Sequence, residues 1–183
     1  VDGSPLVRDI YFARPAAAQD TGLEYHTVLI QGMRAGGNGF VSLEITDPLN
    51  PEFLWQYMDP LFGNTYGQAA AGQVLIDIGS NVHERGIVVL PGGHGQLRST
   101  ASCGAEAEAS SPDSDPTPLG GRSTRRCWTS TGRALVILDA ASGRVLRRWD
   151  DTVFPAPLSG AVSLFLGETG TIATSGYVTD ADG

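Results

Sequence analysis

Residues 39–55 read GFVSLEITDPLNPEFLW, and residues 132–149 read GRALVILDAASGRVLRRW. Both stretches open with a glycine, continue with an apolar run, pass through an acidic turn and end in tryptophan. Short apolar runs that are bounded by Asp, Asn, Gly and Pro are typical of β-strands joined by turns. Each stretch is therefore predicted to form one β-hairpin, and the chain to contain a repeated unit.

The second stretch shows the expected turn chemistry residue by residue. The carboxylate of Asp139 can accept hydrogen bonds from the turn backbone, and Gly143 can adopt a positive φ without a steric penalty. Because successive side chains of a strand point to opposite faces, Val145, Arg147 and Trp149 are predicted to share one face of the return strand.

The spacing of the repeat favours one all-β architecture. A single hairpin is marginally stable in water, so repeated hairpins need neighbours packed against them. The glycines that open the two copies, Gly39 and Gly132, are 93 positions apart, roughly twice the propeller blade period of about 40–50 residues. We predict part of a β-propeller built of antiparallel hairpins. The spacing leaves room for a degenerate or insertion-bearing blade between the two copies.

Further strands are indicated by alternating or β-branched runs, and no segment has a helical periodicity. The predicted strands lie in Val1–Phe12, Tyr25–Gln31, Gly72–Ile78, Gly86–Leu90, Ala161–Leu166 and Thr171–Val178. The third and fourth of them are predicted to pair, with residues 79–81 starting their connection. The last two are predicted to pair across residues 167–170.

The charge balance excludes some classes of partner. The chain of 183 residues has 20 acidic side chains against 12 basic ones, all of which are arginine, and its net charge is −8. Nucleic-acid binding requires clustered cations that neutralise phosphates, so no nucleic-acid partner is expected. No apolar run is long enough to cross a membrane, so the segment is not predicted to be transmembrane.

Two cysteines bracket a polar insertion at about residues 99–130. The stretch between Cys103 and Cys127 is rich in Ser, Pro, Asp and Gly, a composition that lacks the apolar residues a packed core needs. A disulfide between the two cysteines would close this loop and contribute roughly 3 kcal/mol. It would also indicate an oxidising compartment. Two buried free thiols are the alternative.

The sequence provides no convincing catalytic or cofactor-binding residues. His26, His83 and His94 lack metal-ligand spacing, and no Gly-x-Ser-x-Gly nucleophile motif occurs. Asp180 and Asp182 are weak metal candidates, because Asp-Ala-Asp-Gly can begin a calcium loop. The same four residues are more typical of a hairpin turn, which is the favoured interpretation.

Four segments together resemble a known family. They are VDGSPLVRDIYF (1–12), HTVLIQGMRAGGNGFVSLEITDPLNPEFLW (26–55), TYGQ (65–68) and PLSGAVSLF (157–165). In this order they look like the C-terminal propeller of the PilY family, which are tip-associated adhesin and assembly proteins of type IV pili. The strand and turn at residues 42–48, SLEITDP, is the most specific part of the resemblance.

The resemblance implies a modified, quinoprotein-like propeller without enzymatic activity. Such a protein would sit with minor pilins at the pilus tip, support assembly and retraction control, and contact host or abiotic surfaces after export through the periplasm. It implies that the whole chain is a segment of one C-terminal domain, truncated at both ends. Some relatives bind calcium in an acidic loop, but the corresponding residues 164–170 contain only Glu168 as an acidic ligand. No cofactor is therefore assigned to this segment, although calcium elsewhere in the longer protein is compatible with it.

Two other classes share such hairpins. Quinone-cofactor dehydrogenases have similar propeller repeats, but they require acidic and amide ligands that converge on a cofactor and its calcium, and these are not found here. An outer-membrane assembly scaffold can use the same propeller to hold client proteins. The fold alone does not decide between these functions.

Overall fold

The computed structural model describes residues 4–14, 22–78, 81–98, 127–167 and 170–181, and every regular element in them is a β-strand. The strands are β1 (Leu6–Ala13), β2 (Leu23–Gly32), β3 (Gly39–Glu44), β4 (Glu52–Met58), β5 (Ala70–Ile78), β6 (Asn81–Pro91), β7 (Leu135–Asp139), β8 (Val145–Trp149), β9 (Ser163–Leu166) and β10 (Ala173–Tyr177). The predicted all-β class is confirmed. Residues 99–126, which include Cys103, lie outside the described residues.

The strands form three antiparallel sheets in chain order. The first sheet is β1-β2-β3-β4, the second is β5-β6-β7-β8, and the third contains β9 and β10. Each strand pairs with its sequence neighbour, as in the four-stranded blades of a propeller. The first strand of the second sheet, β5, contacts β1 on one side and the β9-β10 pair on the other. The predicted propeller-like arrangement is therefore confirmed.

The two sequence repeats occupy the same place in consecutive sheets. Residues 39–55 provide β3 and most of β4, and residues 132–149 provide β7 and β8. Only residues 59–69 separate the first sheet from the second, so no additional blade lies between the repeats. The extra spacing comes from the long connection between β6 and β7, which contains the polar insertion.

A β-bulge changes the register of the second hairpin. It lies between Ile137 and Leu138, and it sets Val145 opposite Leu138 while Arg147 is opposite Ile137. Directly opposed residues share a face of the sheet, and adjacent residues of β7 point to opposite faces. The prediction that Val145 shares a face with Arg147 and Trp149 is therefore wrong, because a bulge inserts one residue without a signal in the alternating pattern.

The first hairpin has a corresponding bulge between Ser42 and Leu43, and Trp55 lies opposite Ser42 just beyond it. When the two hairpins are aligned on their bulges, Trp55 corresponds to Arg147, and the residue that corresponds to Trp149 is Tyr57. The two tryptophans that end the repeat in the sequence are thus offset by two positions in the structure.

The hairpin of β5 and β6 is longer than predicted. Its ladder continues to the pair Ile78 and Asn81, so β6 begins at Asn81 and not at Gly86. Near this end Asp77 and Val82 are exposed, Val82 at 66%. Backbone pairing extends a hairpin beyond its buried part, and an apolar pattern detects only the buried part.

The second sheet is buried on both faces. One face packs Val88, Leu90, Val136 and Leu138 against the first sheet, in a cluster that also holds Phe40. The opposite face carries a smaller cluster toward the third sheet, whose fully or partly buried members are Ala70, Val74, Ile87, Val89, Leu135, Ile137, Leu146, Val162, Leu164 and Val178. Burial on both faces explains why β7 is a continuous apolar run.

Candidate functional site

The turns and connections at one end of the first two sheets are joined to each other. The β2–β3 turn contacts the β4–β5 connection through an antiparallel bridge between Arg34 and Thr65. A second bridge joins Asn64 of that connection to His94, which follows β6. The glycine-rich residues 36–38 lie in the β2–β3 turn. These three segments therefore form one continuous surface.

Arg34 holds an unusual backbone conformation in this surface. Its φ is 50°, and it is the only non-glycine residue with a positive φ among the described residues. Its backbone N–H donates a hydrogen bond to Oγ1 of Thr65 at 3.1 Å, and Oγ1 of Thr65 in turn donates to the carbonyl of Gly39 at 3.1 Å. These bonds compensate for part of the cost of the left-handed conformation.

Arg34 lies beside the rings of Tyr66 and His94, which we call the aromatic ladder. The guanidinium carbon of Arg34 lies 4.9 Å from the centre of the Tyr66 ring, within the range of a cation–π contact. The rings of Tyr66 and His94 make an edge contact, with 6.3 Å between the two ring centres and an interplanar angle of 83°. Tyr66 is 43% exposed, so part of this residue is in contact with solvent.

We call the cavity beside this ladder the polar pocket. It has a volume of about 180 Å³, and its lining includes Gln31, Gly32, Arg34, Thr65, Tyr66 and Gln68. A Cβ atom on Gly32 would lie 2.7 Å from the carbonyl oxygen of Thr65. The pocket wall at this point therefore requires glycine.

A part-buried ion pair connects the outer edges of the first two sheets. Asp59 follows β4 and is 3% exposed, and its carboxylate accepts two hydrogen bonds from Arg148 of β8, at 2.7 and 3.0 Å. It also accepts one from the backbone N–H of Leu61 and one from the Tyr57 hydroxyl. We call these residues the inter-sheet junction.

The junction shifts the ionisation of its members. Burial raises the pKa of Asp59, but the hydrogen bonds from Arg148 and Leu61 outweigh burial and hold that pKa below its ordinary value. Burial and the adjacent Asp59 carboxylate raise the pKa of Tyr57 to about 12. The hydrogen bonds to Asp59 raise the pKa of Arg148. The ion pair is therefore charged at neutral pH, and its role is structural.

An apolar groove lies on the other face of the second sheet. It has a volume of about 250 Å³, and its lining includes Leu135, Ile137, Trp149, Leu164 and Tyr177. Tyr177 is 67% exposed. The first sheet packs against the four strands of the second sheet. The groove face of the second sheet packs against a third sheet whose described part has only two strands, β9 and β10.

The three histidines lie in different places in the structure. His26 is buried, its Nδ1 lies in hydrogen-bond contact with Oε1 of Glu44 at 2.7 Å, and its ring stacks on Phe12. His83 lies on β6, and His94 belongs to the aromatic ladder. Among the described residues, no group of three or more His, Cys, Asp or Glu side chains is placed to hold a metal ion.

Several sequence candidates lie partly or wholly outside the described residues. Asp180 is described, but Asp182, Glu168 and Cys103 are not. The metal candidates and the Cys103–Cys127 disulfide therefore remain predictions. No helix in the described part of the chain is long and apolar enough to span a membrane.

Sequence reasoning missed both the polar pocket and the junction. One available signal was the alternation of Asn64, Tyr66 and Gln68, which are exposed, with buried Thr65 and Gly67 in the β4–β5 connection. No local pattern could pair Asp59 with Arg148, because they are 89 residues apart.

Comparisons with known proteins give one consistent relationship. No model of a known protein family matches the chain. The protein named type IV pilus biogenesis factor PilY1, from two strains of Pseudomonas aeruginosa, is 46% identical over 56 residues, which are 31% of this chain and 4% of the relative. The crystal structure of the P. aeruginosa PilY1 C-terminal domain matches with a TM-score of 0.60 and 25% identity, over 98% of this chain and 28% of that chain.

The fold defines the chain as part of a propeller-type β module, with successive antiparallel sheets packed face to face. The sequence and structural matches relate it more narrowly to one family: it is similar to part of the PilY1 C-terminal domain. The resemblance inferred from the sequence is thus confirmed. The chain spans little more than a quarter of the solved relative.

Proposed function

We propose that this chain is part of a non-enzymatic type IV pilus protein that acts through protein contacts. In this proposal, it supports pilus assembly and retraction control at the pilus tip by binding minor pilins, and it mediates adhesion to host or abiotic surfaces. The observation that carries the proposal is the match to PilY1, a protein named as a type IV pilus biogenesis factor, which extends over 98% of this chain in structure.

The surfaces of the chain are compatible with a contact function. The apolar groove offers Trp149 and Tyr177 to another strand or chain, and such aromatic residues are enriched at protein interfaces. The inter-sheet junction and the two-sided core hold the sheets in fixed positions, so the connecting loops are presented on a rigid frame.

We further propose that residues 1–183 belong to a single C-terminal propeller domain, and that the insertion at about residues 99–130 projects from it as a surface element. The insertion lies between β6 and β7, and it follows the loops that carry His94 and the polar pocket. A protein of this kind would be extracellular after passage through the periplasm, where a Cys103–Cys127 disulfide is stable.

Deletion of the full-length gene tests the function. We expect fewer pili by electron microscopy and in sheared-pilus preparations, with recovery on complementation. Complementation with a gene that lacks codons 104–126 is expected to restore pili but not attachment. Normal pili and normal attachment in the deletion strain would contradict the proposal, and a quinone absorbance band in the purified protein would favour the dehydrogenase alternative.

A further inference from the structure

We propose that the apolar groove holds a third strand of the third sheet, which a segment of the full-length protein outside residues 1–183 provides. In this proposal, the strand pairs with the edge of β10 that faces the groove and packs its apolar side chains on the second sheet. The inference rests on the proposed single propeller domain and not on the pilus function. It assigns an occupant to the surface that bears Trp149 and Tyr177.

One wall of the groove is the edge of a β-strand. Six consecutive residues, 173–178, line the groove, and they include all of β10. Because alternate side chains of a strand point to opposite faces, consecutive residues line one cavity only where the edge of the strand faces it. Among the described strands, β10 pairs with β9 alone. Its other edge therefore presents backbone N–H and C=O groups toward the groove.

The floor of the groove is a sheet face without charge. It includes Leu135, Ile137 and Trp149 of the second sheet, and none of the described residues that line the groove is charged. Tyr177 is 67% exposed beside them. An apolar floor next to a row of backbone donors and acceptors fits an extended peptide strand, because such a strand satisfies the backbone groups and buries its alternate side chains.

The first two sheets indicate what covers such a face. When their hairpins are aligned on the bulges, Phe40 of the first sheet corresponds to Leu135 of the second. Phe40 is 1% exposed and belongs to the same buried cluster as Val136 and Leu138 of β7, the third strand of the next sheet. Leu135 is only partly buried. The repeat therefore indicates the equivalent third strand of the third sheet as the occupant of the groove.

The repeat also predicts the sequence pattern of the occupant. In the third strands of the first two sheets, residues 41–44 read VSLE and residues 136–139 read VILD. Val136 and Leu138 pack toward the preceding sheet, and an acidic residue ends each strand. We expect the occupant to contain an apolar residue, any residue, a second apolar residue and then an acidic one, with its two apolar side chains in the groove.

The topology favours the same polypeptide as the source of this strand. In both four-stranded sheets each strand pairs with its sequence neighbour, and consecutive elements of one chain are usually adjacent in space. The solved PilY1 C-terminal domain matches 98% of this chain over only 28% of its own length. A protein of this fold therefore contains further segments of the same polypeptide that can provide the strand.

Hydrogen exchange of the purified full-length protein tests the pairing. A strand that is paired on both sides has all its amides in a ladder, whereas an edge strand leaves alternate amides open to solvent. We expect every amide of β10 to exchange at least about 100-fold more slowly than in an unfolded peptide. Rapid exchange of alternate β10 amides, in a protein whose β9 amides are protected, would overturn the proposal.

A photo-cross-linker identifies the occupant. The amino acid p-benzoyl-phenylalanine is incorporated into the full-length protein in place of Tyr177 or, in a second variant, Ser175, which also lines the groove. We expect both variants to form a cross-link within one polypeptide, to a peptide outside residues 1–183 that has the predicted pattern. Leu49, which is 87% exposed in the β3–β4 turn, is the control position and is expected not to reach that peptide. Circular dichroism establishes that each variant is folded.

Three cross-linking results would also overturn the proposal. One is a product that joins two molecules, which would assign the groove to a second copy or to a partner protein. Another is a cross-link from both positions to residues 1–183 only, and the third is no product from either position. A deletion strain that lacks pili, together with any of these results, would refute the third strand and still support the pilus function. Normal pili in that strain, together with the expected cross-link, would do the reverse.

Discussion

Arg148 of β8 donates two hydrogen bonds from Nε and a terminal nitrogen to the carboxylate of Asp59, which follows β4. The two residues belong to different sheets, so this ion pair ties the outer edge of one sheet to the outer edge of the next. Asp59 is almost fully buried, whereas a third of the Arg148 side chain is exposed, at 34%. Solvent therefore screens the charge of Arg148 in part, whereas the charge of Asp59 is shielded from solvent.

The first prediction concerns the stability of this junction. Asp59→Ala is expected to lower the free energy of unfolding by about 2–3 kcal/mol, because it removes a charge-assisted pair and leaves Tyr57 and Leu61 without their acceptor. Urea unfolding of the purified protein measures the change. Asp77→Ala, an exposed aspartate on β5, serves as the control and is expected to change stability by less than about 0.5 kcal/mol. Equal effects of the two substitutions would contradict the structural role of Asp59.

The second prediction is a pH dependence that follows from the lowered pKa of Asp59. Because the folded-state pKa lies below the unfolded value of about 3.9, the unfolded state binds more protons in acid. The stability contributed by Asp59 is thus present above the unfolded pKa and is lost as pH falls through the folded pKa.

The comparison of wild type with Asp59→Asn isolates this contribution. At neutral pH the variant is expected to be less stable, and between about pH 5 and pH 2 the difference is expected to shrink as the wild-type carboxylate is protonated. Glu44, whose pKa is also lowered, by hydrogen bonds from His26 and Arg14 that outweigh burial, is present in both proteins and cancels. A difference that stays constant down to pH 2 would mean that Asp59 is not an ionised partner of Arg148.

The third prediction concerns contact between the first sheet and the turn of the second repeat. The indole N–H of Trp55 donates to the carbonyl of Ala140 at 2.9 Å, and a Cβ atom on Gly143 would lie 2.6 Å from Cγ of Trp55. Gly143 also has a φ of 68°. Gly143→Ala is therefore expected to cost about 3 kcal/mol, from backbone strain and from overlap with Trp55.

Gly170 separates these two causes. It has a similar φ of 71°, but a Cβ atom there would meet no described atom within 4 Å. Gly170→Ala is expected to cost only the backbone strain, about 1 kcal/mol. Thermal and urea unfolding of both variants measure the difference. If the two glycines were equally sensitive, Trp55 would not be packed on this turn.

The fourth prediction concerns the insertion. Peptide mapping of the protein under non-reducing conditions is expected to recover a peptide pair that links Cys103 to Cys127. Reduction of that link is expected to lower the unfolding free energy by about 3 kcal/mol, because the open loop regains conformational entropy in the unfolded state. Full alkylation of both thiols without prior reduction would show that they are free.

Much of the fold followed from local sequence. The hairpins of residues 39–55 and 132–149, the pairing of β9 with β10 and the all-β class depend on apolar runs and turn residues, which act over a few positions. The bulge at Ile137 and Leu138 did not follow, and neither did the extension of β6 to Asn81. Both are properties of the hydrogen-bonded ladder, and the side-chain pattern does not record them.

The sequence by itself determined that this chain forms stacked β-hairpins of the PilY type, because hydrophobic alternation and turn chemistry are local and appear directly in the order of residues. Only the tertiary structure decided which residues meet across the sheets: Asp59 with Arg148, Trp55 with the turn at Gly143, and Arg34 with Tyr66 at the polar pocket. These contacts depend on the packing of whole sheets. The residues of each pair are about 30 to 90 positions apart, so no local sequence pattern links them. The fold alone brings them into contact.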